Sequence, residues 1–296
     1  MVIDGATGTE LQARGVPMDE AAWCGVAALG QADVGRQVHE DYIRAGAAVV
    51  IANTYATNRF RLTEAGFGDR VEEANRNAVR AAIEARSRTG RPEVAVAGSI
   101  SSAAAFTVGG THRGPAGETL LDIYSEQAAI LADAGVDLLA LEMISGLDYG
   151  ELALRAARNT ELPIWLGVSA ERARDGRLIC VRDEDANFDE FVEQIVAPDL
   201  AAVLVMHTDV ADANEALESV FRHFDGPVGI YPHVGRFVPP NWEFDESFAP
   251  QDLVALARRW VGRGVRVVGG CCGLGPDYIR ALAAEYPPSA VKPATS

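Results

Sequence analysis

Cysteine is scarce in this chain, with four among 296 residues. Four cannot build a disulfide framework in a chain this long. The thiols are therefore free for metal binding, catalysis or packing, and a cytoplasmic location is expected. Long apolar runs are missing too. None approaches the roughly 20 residues that span a bilayer, so no membrane segment is expected. The opening residues, MVIDGATGTE, lack a basic stretch followed by an apolar one, and no signal peptide is expected. Positive charge is in deficit, 26 Lys and Arg against 42 Asp and Glu, for a net charge of -16. Phosphate binding needs clustered cations, so no nucleic-acid partner is expected. The acidic excess mainly favours solubility. Linkers, low-complexity segments and short repeats are absent as well. Residues 1–287 read as one domain, and residues 288–296, in the proline-rich end PPSAVKPATS, as a disordered tail.

What the chain does contain is an alternation. Short β-branched runs occur at Val2–Ala6, Ala48–Asn53, Val94–Gly98, Asp137–Glu142, Pro163–Val168, Ala201–Met206, Pro227–Tyr231 and Val265–Gly269. Helix-like stretches lie between and after them: Asp33–Ala45, Val71–Arg86, Glu118–Ala134, Leu147–Arg158, Phe188–Ile195, Ala211–His223, Pro250–Val261 and Pro276–Glu285. In EANRNAVRAAIEA the apolar positions recur at helical spacing. The strand-like runs are almost uniformly apolar, as parallel strands buried on both faces require. Glycine marks several helix-to-strand joins, in RAGAAVV, ADAGVDLL and RGVRVV. Eight strands alternating with eight helices predict an α/β fold, a single (β/α)8 TIM barrel. The rival, a doubly wound open sheet, usually carries a glycine-rich dinucleotide turn that DGATGTEL does not match.

In such a barrel the chemistry gathers where the strands end. The ends deliver Asp4 and Gly5; Asn53, Thr54 and Tyr55; Ser99; Glu142; Ser169; His207 and Thr208; Tyr231 and His233; and Cys271 and Cys272. Zinc prefers thiolate and imidazole ligands, and a catalytic site leaves one position open. Adjacent cysteines on a regular strand point to opposite faces. Glycines at 269, 270 and 273 let the backbone bend so that both sulfurs converge. The third ligand must come from elsewhere on the rim, with His207 the first candidate and His233 the second. Read singly, the cysteine pair could be packing, His207 a satisfied polar side chain, and Asp4 and Glu142 structural acids. Cys24 and Cys180 have no partner spacing and read as structural. His39, alone in a helix, reads as a surface residue. The aromatics of PNWEFDESF, Trp242, Phe244 and Phe248, could hold a cationic methyl donor by cation–π attraction, but read better as pinning their own loop.

Four stretches carry a resemblance. DGATGTEL (Asp4–Leu11), AGAAVVIANTYATN (Ala45–Asn58), AGVDLLALEM (Ala134–Met143) and GGCCGLGPDYI (Gly269–Ile279) resemble the homocysteine S-methyltransferase family, in order and across nearly the whole chain. The resemblance implies a (β/α)8 barrel with a catalytic Zn2+ on three cysteine thiolates. It implies methyl transfer to homocysteine, or a related thiol, from a small donor such as S-methylmethionine, S-adenosylmethionine or betaine. It further implies that Asp4 and Glu142 hold the substrate's amino group, that the Gly5 to Thr9 turn faces its carboxylate, that Asn53, Thr54 and His233 lie at the substrate, and that Tyr55 lies beside the metal. Tyr55 and Glu142 are the expected catalytic residues. The partners implied are small molecules, and the chain is expected as a monomer or homo-oligomer.

Three rim segments depart from the pattern. Where the family has Asn-Cys-Thr after the sixth strand, this chain has VMHTDV, with His207 at the cysteine position. The family's Tyr-Pro-Asn-x-Gly-Glu becomes YPHVGR, so His233 and Arg236 replace Asn and Glu. The family's Gly-Pro-Tyr-Gly stretch is SISSAAAF. Two cysteines with one histidine remain an accepted catalytic zinc set. Exchanging a thiolate for neutral imidazole removes one negative charge, which favours Lewis acidity over nucleophilicity of a bound thiolate. The expected metal ligands are His207, Cys271 and Cys272. The alternative is a diverged member that no longer transfers methyl groups and serves in binding, in regulation or in another metal-dependent reaction.

Overall fold

Seven parallel strands form one sheet: β1 (Val49–Ile51), β2 (Ala95–Ser101), β3 (Leu138–Ile144), β4 (Ile164–Val168), β5 (Ala202–Asp209), β6 (Val228–His233) and β7 (Val267–Val268), in that order. The structure is a computed structural model and describes residues 1–104, 106–108 and 111–287. The disorder expected for residues 288–296 falls outside the described residues. Residues 2–3 close the sheet. Val2 bridges Val268 and Ile3 bridges Val49, both in parallel. Ile3 N–H donates to Val268 O at 2.9 Å, and Asp4 N–H to Val49 O at 3.0 Å. Eight strand positions thus run round a ring in chain order, with helices between them, as the alternation predicts.

Both seam strands are shorter than expected. Val2–Ala6 shrinks to two bridges, and Val265–Gly269 to β7. The two seam segments approach closely there: a Cβ on Gly269 would lie 2.3 Å from Ile3 Cγ1. The eight expected helices are present, several with unchanged bounds, such as Leu147–Arg158 and Pro276–Glu285. At two of the glycine joins, Gly46 and Gly264 have φ of 111° and 112°, conformations that a side chain would strain. Among the described residues no helix is long and apolar enough to cross a membrane.

Inside the barrel the period of two is plain. Val49, Ala97, Leu138, Ala140 and Leu204 meet in the interior, whereas Val50, Val96, Leu139 and Val205 face the helices. Continuing the inward set upward brings Ser99, Glu142, Met206 and Tyr231 to the C-terminal end. The sequence reading missed the rim insertions: the antiparallel pair Arg236–Val238 and Asn241–Glu243, the three-stranded piece Ala170–Arg172, Leu178–Cys180 and Asp183–Asn187, and the pair Phe106–Val108 and Thr111–Arg113. They are short, with little periodicity to read.

One expectation fails outright. His39 is fully buried, and neither ring nitrogen has a partner. The helix Ala32–Ala45 buries Gly35, Val38, His39, Tyr42 and Ile43 as one stripe, and His39 sits within it. Burial lowers its pKa from 6.5 to about 4.

Candidate active site and metal centre

The cysteine loop leaves β7 and is fixed by backbone hydrogen bonds on two sides. Cys271 N–H donates to Pro232 O at 2.8 Å, Val234 N–H to Cys272 O at 3.0 Å, and Gly270 N–H to Asp4 O at 3.2 Å. At Gly273 φ is 84°, and a Cβ there would lie 2.2 Å from Val234 O. This bend turns two consecutive side chains to one side, with Cys271 Sγ and Cys272 Sγ 3.9 Å apart.

His207 arrives by a different distortion. The β5–β6 register shifts between Met206 and Asp209, and His207 has φ of 44°. The β3–β4 register shifts between Leu141 and Ile144, with Met143 at φ 54°. Such bulges re-aim side chains. His207 Nδ1 comes within 3.5 Å of Cys271 Sγ. The ligand atoms of His207, Cys271 and Cys272 all lie within 4.8 Å of one another, a possible metal site.

The spacing fits zinc. Tetrahedral Zn–S bonds of about 2.3 Å and Zn–N bonds of about 2.0–2.1 Å require sulfurs about 3.8 Å apart and nitrogen about 3.5 Å from sulfur. The Cys271–Cys272 and Cys271–His207 separations, 3.9 and 3.5 Å, match. Burial, then the neighbouring His233 and Arg182, holds the His207 pKa well below the usual histidine range, so the imidazole is neutral, the form that binds metals. The Cys272 pKa is raised well above a thiol's usual value by its hydrogen bond with Cys271 and by burial.

The centre opens into a cavity of about 390 Å³. Glu142 stands in its wall. Ser99 Oγ donates a short hydrogen bond to Glu142 Oε2, and Tyr231 OH donates to Oε1 at 3.1 Å. Burial raises the Glu142 pKa, and the two hydroxyl donors work against that. Gly5 and Tyr55 also line the cavity. Tyr55 OH donates to Met143 Sδ at 2.8 Å.

The other expected substrate residues are placed less directly. Asp4 is buried, and its Oδ2 accepts from Ile51 N–H at 2.7 Å. Asn53 lines the cavity, but Cys24 occupies both ends of its amide: the thiol donates to Oδ1 at 3.1 Å, and Nδ2 donates to Cys24 O at 2.9 Å. Cys24 thus lies on the cavity wall, a position its sequence context did not announce. Thr54 Oγ1 bonds both Ser99 O and Ser99 N–H, and the residue lies behind the lining. Thr9 Oγ1 accepts from Gly273 N–H at 3.2 Å and braces the cysteine loop. His233 borders a smaller cleft of about 190 Å³ on the other side of His207. Sequence reasoning missed Trp23, Arg61, Arg182 and Phe237, which line the outer cavity. They come from rim loops, whose convergence no local pattern encodes. Of the three aromatics in PNWEFDESF, Trp242 lines the cavity, Phe248 stacks on Tyr278, and Phe244 is exposed.

A family model described as homocysteine S-methyltransferase matches residues 1–286. Homocysteine S-methyltransferase 4 of Zea mays is 30% identical, covering 96% of this chain and 90% of its own length. Selenocysteine methyltransferase of Astragalus bisulcatus is also 30% identical, over 95% and 90%. The metallated form of the homocysteine methyltransferase MmuM from Escherichia coli superposes with a TM-score of 0.75 at 23% identity, over 96% of each chain, which supports the barrel. With the match running from the first residue through the last helix, the chain belongs to the homocysteine S-methyltransferase family, whose members are methyltransferases.

Proposed function

We propose that the protein transfers a methyl group from a small onium-type donor to the sulfur of homocysteine or a related thiol, in a cavity floored by a Zn2+ site of His207, Cys271 and Cys272. One observation carries the reading: the three ligand atoms converge within 4.8 Å beside the cavity that holds Glu142. Bound zinc would supply Lewis acidity, lowering the pKa of the substrate thiol and fixing its sulfur.

The chain's own residues do the rest. Glu142, oriented by Ser99 and Tyr231, accepts the substrate ammonium, and buried Asp4, whose pKa desolvation pushes well above the usual carboxylate range, assists as a hydrogen-bonding group rather than as a second full charge. Gly5 lets the turn proposed to face the substrate carboxylate pack against the cysteine loop, because a Cβ there would lie 2.1 Å from Leu274 O. Tyr55 and Trp23, 6.2 Å apart and edge to face, wall off water on the donor side. The sulfur lone pair forms the new S–CH3 bond while the methyl–heteroatom bond breaks. Its electrons remain with the donor, which loses its positive charge, and the thiol proton goes to solvent. Alignment of the two partners is the main contribution. Residues 1–287 act as one barrel in the cytoplasm, where thiols stay reduced.

The test is methylation of homocysteine by the purified protein with S-methylmethionine, S-adenosylmethionine and betaine, alongside metal analysis. The expected result is zinc-dependent product with one donor, abolished by a chelator. The replacement of a family cysteine by His207 favours a second reading, a metal-binding member without methyl transfer. Stoichiometric zinc with no turnover from any donor would establish that reading instead.

A further inference from the structure

His207 is enclosed by two other rings. Its centroid lies 4.6 Å from that of His233 and 5.7 Å from that of Trp242, and those two are 5.4 Å apart at 82°. Trp242 is itself fixed. Trp242 Nε1–H donates to Val234 O at 3.0 Å, and Gln12 grips the Trp242 backbone, accepting from its N–H at 2.7 Å and donating to its carbonyl at 2.9 Å. Val234 N–H donates in turn to Cys272 O. Asp209 Oδ2 stands 4.0 Å from His233 Nε2. The wall against His207 is therefore tied to the cysteine loop it faces.

An imidazole needs such a wall where a cysteine would not. The terminal torsion of histidine is broad and roughly two-fold. A half-turn of the His207 ring would present a carbon, in place of Nδ1, to Cys271. A thiolate sulfur has no wrong face. His207 also sits in a left-handed conformation that its surroundings must hold. We propose that His233 and Trp242 are positioning residues that lock the His207 ring with Nδ1 toward the cysteines, so that the histidines at 207 and 233 form one unit. This rests on the metal reading above.

The test measures zinc affinity by chelator competition, and the visible spectrum of the Co2+-substituted protein, for His233→Ala and His233→Phe. Each is made in the wild-type background and with His207→Cys. His233→Ala is expected to weaken zinc about 10–100-fold, the usual range for outer-shell changes, and to alter the Co2+ bands. His233→Phe, which keeps a ring against His207, retains both. With His207→Cys, the alanine change at 233 has no further effect. Equal loss in both backgrounds, no loss in the wild-type background, or failure of the phenylalanine variant would overturn the proposal. A wild-type protein without zinc, or one that His207→Ala leaves unchanged, removes the metal reading and this proposal with it.

Discussion

The same strands behave differently at their two heights in the barrel. Low in the barrel, the inward residues Ile3, Val49, Leu138 and Leu204 are buried and apolar. At the rim the inward residues include Ser99, Glu142 and Tyr231, joined by hydrogen bonds, and two strands slip register at Met143 and His207, both with positive φ. The lower layer tolerates any apolar residue of suitable volume. The rim gives up regular backbone to aim particular atoms. Function here is written in departures from ideal strands, and stability in their continuation.

The largest expected break in this comparison is at the rim. Cys272→Ala removes a proposed ligand and leaves the barrel intact. Bound zinc falls to background and methyl transfer is lost, while the metal-free melting temperature stays close to that of the wild type. Full zinc in the variant would contradict the assigned ligand set. Leu204→Ala reverses the pattern. A buried Leu→Ala change costs about 2–5 kcal/mol, readable by denaturant unfolding, and zinc stoichiometry of the folded fraction is unchanged. Lost zinc without lost stability would mean that the two layers are not separable.

How much of this was legible in the sequence follows the same division. Long amphipathic helices such as Val71–Arg88 could be read because periodicity is local. Glu142 and the cysteines could be placed on the rim because strand ends are recognisable. The sequence did not reveal what each rim side chain would meet. Asn53 and Thr54 stand at the predicted strand end, yet Cys24 and Ser99 occupy their polar atoms. Trp23 and Arg182 reach the cavity from distant loops. His39 was misplaced because a lone histidine was read by type, although helical spacing put it on the buried stripe.

His39 also sharpens the contrast between paired and unpaired buried groups. Glu142 has two hydroxyl donors; His39 has none. Its folded pKa is about 4, below the usual 6.5 of histidine, so only the unfolded chain takes up a proton between those values. Its contribution is fully present above pH 6.5 and is lost as pH falls towards 4. That loss amounts to about 3 kcal/mol at 1.36 kcal/mol per unit. Unfolding free energies from pH 7 to 4 should fall less steeply in His39→Phe than in wild type. Parallel curves would show that another group carries the slope.

The smallest effect tests the pairing at Glu142 itself. Tyr231→Phe removes one hydroxyl donor and leaves Ser99 in place. Burial already disfavours the charged carboxylate, and losing a donor disfavours it further. A hydrogen bond to a charged group contributes about 1.5–3 kcal/mol. The surviving Ser99 bond places the loss near the lower end, roughly tenfold at 1.4 kcal/mol per factor of ten. Because Tyr231 hydrogen-bonds the carboxylate proposed to hold the substrate ammonium, the change should appear in KM for homocysteine, with kcat nearly unaltered. A fall in kcat at constant KM would instead put Tyr231 at the reacting atoms, and the rim would then hold a catalytic group where the geometry supports a positioning one.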